Sequence, residues 1–173
     1  MPTKTEINND EWGTPLDLFN KLDAEFYFTL DPCASTGRPL RDDITQFTKE
    51  DNGLSQPWTG HRVFCNPPYS SRQIRDWVMK AYAERDNCQV IVLLIPVRTD
   101  RAYFHDFIQG TAEIRFLRGR PKFIPLMNQN GGSPSFPSML VIYQSKCPDC
   151  GGKGYHESHN QASICDCRSR GKR

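Results

Sequence analysis

Six aliphatic residues in a row, Val-Ile-Val-Leu-Leu-Ile at positions 90–95, constrain the fold more than any other stretch of this chain. A strand with one wet face alternates apolar and polar residues, so an unbroken run belongs to a strand covered on both faces. Such strands lie inside sheets whose crossover helices pack on either side. The flanking sequence has the matching helical period. Leu16, Phe19, Leu22 and Phe26 follow Thr14-Pro15, and Ile74, Trp77, Val78, Ala81 and Tyr82 follow residues 66–69. A third helix is expected after position 99, with Thr99 as its cap and Tyr103, Phe104, Phe107 and Ile108 inward. Strands are expected at 26–30, 44–47, 61–65, 113–117 and 139–143, and residues 31–60 read mainly as loop. The whole is an α/β pattern, one sheet with helices on both faces, and no internal repeat is visible.

With 173 residues, 37% of them hydrophobic, three Trp and ten Phe, the chain can build one core of ordinary size. A net charge of +2 does not by itself identify a nucleic-acid binder, which needs clustered cations. Clusters exist at Arg98, Arg101, Arg115, Arg118, Arg120 and Lys122, and at Arg168, Arg170, Lys172 and Arg173. No stretch approaches the roughly 20 apolar residues of a membrane span, and the polar first ten residues lack a secretory core, so a cytoplasmic protein with no membrane partner is expected.

The strand at 61–65 runs directly into Asn66-Pro67-Pro68-Tyr69. An exocyclic base amine is a poor nucleophile because its lone pair is delocalised into the ring. Two acceptors fixed on its N–H bonds favour the pyramidal, attacking nitrogen. The Asn66 side-chain oxygen and the Pro67 carbonyl can supply them, Pro67 and Pro68 stiffen the backbone that aims them, and Tyr69 can stack on the base. A base inside duplex DNA is out of reach, so this chemistry requires flipping it into a pocket at the carboxyl edge of the sheet. The competing reading is a stiff turn with a packed aromatic.

Several motifs in one order strengthen the chemical reading. Glu11-Trp12-Gly13-Thr14-Pro15 is followed by Phe28-Thr29-Leu30-Asp31-Pro32-Cys33-Ala34, then by Asp51-Asn52-Gly53-Leu54 with Trp58. After Asn66-Pro67-Pro68-Tyr69 come Leu94-Ile95-Pro96 with Arg98-Thr99-Asp100, Arg118-Gly119-Arg120 with Phe123, and Phe136-Pro137-Ser138. Over residues 11–143 the chain resembles the small phage-type DNA N6-adenine methyltransferases, a branch of the class I S-adenosylmethionine-dependent methyltransferases.

The resemblance implies a Rossmann-like class I sheet, S-adenosyl-L-methionine as cofactor and double-stranded DNA as partner. It places Asp31, Pro32 and Ala34 in the cofactor pocket together with Trp12, Thr14 and Pro15, Thr14-Pro15 at the methionine end. Asp51, in preference to Asp43, is expected on the cofactor's ribose or adenine. Arg118, Arg120 and Lys122 are expected on DNA phosphates, with Phe123 near the flipped base. It also implies a bacterial host cell as the setting, where methylation protects phage DNA from restriction. Bland alternatives compete at three places: Thr14 as a helix cap, Asp31-Pro32 as a strand end, and residues 118–123 as a charged turn over a buried Phe. The chain departs from the wider class in lacking a Gly-rich loop after Asp31, because residues 33–37 contain one glycine.

Four of the seven cysteines, Cys147, Cys150, Cys165 and Cys167, lie in the last 27 positions as two close pairs separated by fourteen residues. Four thiolates suit a tetrahedral, structural Zn2+, and the glycines around the first pair resemble a CxxCxGxG zinc knuckle. The second pair has one intervening residue, which leaves His156 or His159 as substitute ligands. Cys33, Cys65 and Cys88 read as core thiols.

The chain therefore reads as a methyltransferase domain over residues 1–145 and a Cys-rich zinc-binding appendix over 146–173. The expected reaction is methyl transfer to adenine N6 in DNA. The alternatives are the same chemistry on cytosine N4, an RNA base or a glutamine amide, or a non-catalytic zinc-containing nucleic-acid-binding module. No separate target-recognition domain is evident, so loops such as 121–137 would have to read the DNA sequence.

Overall fold

In the computed structural model, residues 12–35, 39–125, 136–144, 155–158 and 161–164 are described. A two-residue strand, β1 (Trp12–Gly13), leads through Pro15 into α1 (Leu16–Phe26), whose Phe19, Leu22 and Phe26 are buried. The proline's fixed φ suits a helix start, and Asp17 in the first turn complements the helix dipole. The helix runs through Phe26, so the strand expected from that residue begins only at Leu30. Tyr27 ends it in the left-handed region at φ 53°, and the Asp23 carboxylate accepts the Phe28 N–H at 2.8 Å. Only Leu30–Asp31 then remains for β2.

β3 (Thr45–Gln46) forms where a short strand was expected and pairs parallel with β2. β4 (Arg62–Cys65) follows the loop, and α2 (Ser71–Glu84) buries Ile74, Trp77, Val78 and Ala81. β5 (Val90–Pro96) contains the aliphatic run and is buried at every position. The helix expected next is a single wide turn of π type, Phe104–Ile108, in which Gln109 N–H reaches back to the Phe104 carbonyl at 2.8 Å. No side-chain cap bond starts it, so Thr99 is not a cap, and Gly110 at φ 76° ends the segment. β6 (Glu113–Phe116), β7 (Ile124–Pro125) and β8 (Ser138–Gln144) complete the main unit.

Six strands form one mixed sheet in the order β3-β2-β4-β5-β8-β6, parallel from β3 to β5, with β8 antiparallel to both β5 and β6. Paired residues on neighbouring strands point to the same face, so register assigns the layers. Phe64, Val92 and Ile142 share one face, and Phe19 of α1 meets Phe64 there with ring centroids 5.3 Å apart. Val63, Ile91 and Tyr143 share the other, where Tyr82 of α2 meets Tyr143 at 6.3 Å and the Tyr143 hydroxyl donates to the Phe107 carbonyl at 2.7 Å. Helices therefore cover both faces, as the uninterrupted β5 sequence requires.

One glycine is fixed by a close approach. A Cβ on Gly53 would stand 1.8 Å from the Pro32 carbonyl oxygen and 3.2 Å from the Trp77 ring, while the Gly53 carbonyl accepts the Trp58 indole N–H at 3.0 Å. Gly53→Ala must push the Asp31-Pro32 turn away, at a cost of about 1–3 kcal/mol, the usual range for overpacking. Urea unfolding of the variant at an unchanged m-value measures this.

Two further strands, β9 (Tyr155–Ser158) and β10 (Gln161–Ile164), pair antiparallel with each other, Tyr155 opposite Ile164. Cys147, Cys150, Cys165 and Cys167 lie outside the described residues. No described helix is long and apolar enough to cross a membrane.

Candidate active site

The crossover after β2 leads outward to β3, whereas the one after β4 leads the other way to β5, so the two loops diverge at the carboxyl ends of β2 and β4. Ligands of open α/β sheets bind at such a switch point. A cavity of about 170 Å³ lies there, lined by Gly13, Thr14, Asp31, Cys33, Ser35 and Asn66 on its polar side and by Leu16, Pro39, Leu40 and Ile124 on its apolar side. Part of its wall is tertiary. β1 and β7 pair antiparallel, Gly13 with Ile124, and so bring positions far apart in sequence onto the same rim.

Asn66 emerges from β4 into this cavity with its amide held at both ends. Its Nδ2 donates to the Thr14 hydroxyl at 3.1 Å, and its Oδ1 accepts the Tyr69 hydroxyl at 2.6 Å. Tyr69 is only 3% exposed, and its ring makes edge contacts with Phe123 at 5.9 Å and Phe136 at 5.5 Å. Its hydroxyl also lies 3.5 Å from the Leu94 carbonyl, and burial pushes the phenol well above its ordinary pKa, which keeps it a neutral donor. In this arrangement Tyr69 orients Asn66, and stacking a base on its ring requires displacement of an aromatic neighbour.

Asp31 stands at the end of β2 and is 4% exposed. Burial raises its carboxyl from 3.8 to about 7 against the opposing effect of the Cys33 N–H, which donates to Oδ1 at 3.0 Å. A buried carboxylate with one protein hydrogen bond retains acceptor capacity for a hydroxyl or a cation in the cavity. Cys65, beneath Asn66, is driven well above its ordinary value, first by burial and then by the neighbouring Cys33 thiol and Asp31.

The other sequence-selected residues divide. Pro32 and Ala34 are buried beside the cavity without lining it, and the Ala34 N–H bonds the Phe47 carbonyl at 2.9 Å. Trp12 enters through the backbone of β1, opposite Pro125. Asp51 does not line the cavity. Its carboxylate closes a turn, accepting both the N–H and the hydroxyl of Thr48 at 2.8 Å, and these bonds hold its pKa below the usual range. Arg118, Arg120 and Lys122 are exposed and, with Pro15, line a second cleft of about 650 Å³, while Phe123 is buried against Tyr69. Among the described residues no group of three or more His, Cys, Asp or Glu side chains is placed to hold a metal. Ser35, Leu40 and Ile124 were missed as cavity residues, and so was the Thr14 bond to Asn66. Nothing in the local sequence signals a contact spanning 52 positions.

Fold and cavity together define an α/β protein whose ligand site opens at the carboxyl edge of its parallel strands, with an Asn-Pro-Pro-Tyr corner in the wall. Residues 2–159 match the family model described as DNA N-6-adenine-methyltransferase (Dam). A DNA N-6-adenine-methyltransferase of Haemophilus phage HP1 (strain HP1c1) is 27% identical over 158 residues, covering 86% of this chain and 88% of that protein. Another, of Escherichia phage T1, is 30% identical over 110 residues, covering 62% of this chain and 44% of that protein. No solved structure matches. The chain belongs to the DNA N-6-adenine-methyltransferase family, and it is an adenine-specific DNA methyltransferase. The alternative acceptors, cytosine N4, an RNA base or a glutamine amide, are not favoured by this assignment, and neither is a non-catalytic module.

Proposed function

We propose that Asn66 and Pro67 carry the methyl transfer, accepting the two amine hydrogens of a flipped adenine in double-stranded DNA, with Thr14 and Tyr69 fixing the Asn66 amide and Pro67-Pro68 fixing its backbone. The observation that supports this is the two-ended restraint that aims the Asn66 amide at the cavity wall. A restrained acceptor needs no reorganisation as the nitrogen gains positive character, which is where preorganised electrostatics acts. Orientation of the nitrogen toward the donor adds the proximity contribution.

The cavity fits S-adenosyl-L-methionine in chemistry: a buried carboxylate for hydroxyls or cationic groups, small polar side chains at Thr14, Cys33 and Ser35, and an apolar wall from Leu16, Leu40 and Ile124. When bound, the cofactor supplies an electrophilic sulfonium methyl. Asp31, Thr14, Cys33 and Ser35, which line the cavity, would hold it, with Trp12, Pro15, Pro32 and Ala34 shaping the surrounding chain. Asp51 would act on this pocket through the loop that Gly53 locks under Pro32. The sheet order supports a class I architecture, with the antiparallel β8 inserted between β5 and β6. Phe123 and Phe136, packed on Tyr69, would rearrange when the base enters.

The Cys-rich segment from 146 onward is proposed as a zinc-bound appendix, Cys147, Cys150, Cys165 and Cys167 being the ligands. Support comes from the β9–β10 register, since Cys165 directly follows Ile164, whose partner Tyr155 lies five residues after Cys150. Metal analysis of the purified chain should return one zinc per molecule, lost on Cys147→Ser with Cys150→Ser. Protection of phage DNA from restriction is the proposed purpose, in keeping with two phage relatives.

Transfer of labelled methyl from S-adenosylmethionine to unmethylated duplex DNA, with the nucleosides separated by mass spectrometry, tests the central reading. N6-methyladenine is the expected product. A different methylated nucleoside would overturn it.

A further inference from the structure

The second cleft is lined by Lys21 of α1 and by Arg118, Arg120 and Lys122, with Asp17 its one acidic residue. All four cations are exposed, and none makes an ion pair among the described residues. Arginines nearby behave differently: Arg41 pairs with Asp23, and Arg115 pairs with both Glu25 and Glu113. Four cations without an ion pair among the described residues, against the single carboxylate of Asp17, give the cleft a net positive field in a chain of net charge +2. The cleft is also placed for the reaction. Leu16 and Ile124 line both it and the catalytic cavity, so a single apolar partition separates them, and Leu16 is 51% exposed there.

A flipped nucleotide remains joined to its flanking phosphates, so its strand must leave the cavity over one rim. From the charge and the shared wall we infer that this rim is the α1 side, and that the cleft between α1 and residues 117–124 seats the phosphodiester backbone of the DNA strand flanking the target adenine, with Lys21 as an unassigned phosphate ligand. The inference rests on the placement of the target base at Asn66. Lys21 and Arg118 approach the cleft from two different elements, so the strand is gripped from both sides. Such contacts position the DNA and carry no sequence information, and their free energy arises largely from counterion release.

The test uses the full-length chain and a fluorescent duplex containing adenines, with Kd measured over a series of salt concentrations. Each of Lys21→Gln and Arg120→Gln should reduce the slope of log Kd against log salt by about 0.9, the value for one phosphate contact. Lys21→Glu should weaken duplex binding at least about tenfold near ~0.1 M salt, with unchanged S-adenosylmethionine affinity and a raised KM for DNA. Arg85→Gln, the same charge loss at the end of α2 and hence at the opposite sheet edge, should behave as wild type. The inference is overturned if wild type methylates adenine in DNA while Lys21→Glu and Arg120→Glu keep its affinity and slope. It is overturned equally if the losses appear with single-stranded RNA and not with duplex DNA. Slope changes in the charge variants, beside a wild type that transfers no methyl to adenine, would support the cleft and remove the catalytic reading instead.

Discussion

Asn66→Ala leaves a folded chain that still binds S-adenosylmethionine and transfers methyl to DNA about 10²–10³-fold more slowly, the usual cost of losing one preorganised transition-state acceptor. The fall should be in kcat, because the lost bond strengthens as the amine nitrogen becomes positive. Removing the amide also takes from the buried Tyr69 hydroxyl its 2.6 Å bond to Oδ1 and leaves it the long contact to the Leu94 carbonyl, at a cost in stability of about 1 kcal/mol. Asn66→Asp separates the two effects. It keeps an acceptor for both Tyr69 and the amine, and the Thr14 hydroxyl can rotate to donate to it. It should therefore retain far more activity than Ala. Equal loss in the two variants would mean that Asn66 acts only through packing.

Asp31→Asn makes the protein more stable in alkaline solution and weaker toward its cofactor. Folding raises the Asp31 carboxyl from 3.8 to about 7, so between those values the folded chain holds more protons than the unfolded one. Stability from this group is then highest at low pH and falls as pH rises through that window. Three units correspond to at most about 4 kcal/mol, since one unit is ~1.36 kcal/mol. The amide has no charge to desolvate and still accepts the Cys33 N–H. Urea unfolding of the ligand-free chains at pH 5 and pH 8 should show the wild type losing stability and the variant losing less. Parallel pH dependences would exclude Asp31 as the group responsible. A cationic ligand favours the ionised carboxyl, so wild-type affinity for S-adenosylmethionine should strengthen as pH rises through about 7 and the variant's should not.

Both predictions join residues that the sequence names singly. Asn66-Pro67-Pro68-Tyr69 was legible because its geometry is local: four consecutive positions after a strand. Asp31-Pro32 was legible for the same reason, as the end of β2. Expectations that needed an element boundary fared less well. Phe26 has the apolar character of a strand residue and also completes the buried face of α1, and the left-handed Tyr27 settles which. The third helix contracted to one wide turn because Tyr103, Phe104 and Ile108 reach the core over so short a span before Gly110.

Asp51 illustrates the limit for sites. An acid two residues before a glycine, thirty-odd positions into the fold, fits a ribose ligand by order alone, yet its carboxylate closes the turn at Thr48. Tyr69 illustrates it for roles, as a residue expected to face a base is packed between Phe123 and Phe136.

The sequence by itself determined the covered central strand, the α/β class, the buried residues of α1 and α2 and the position of the Asn66 corner at the end of a strand, because each depends on residue type and spacing within a few positions. Only the tertiary structure decided that Thr14 holds Asn66, that Gly53 locks Pro32, and that Lys21 joins Arg118, Arg120 and Lys122 in one cleft. Those contacts join positions tens of residues apart. They follow from sheet order and the β1–β7 pairing, which arise from packing the whole chain at once and leave no periodic trace in any window of it.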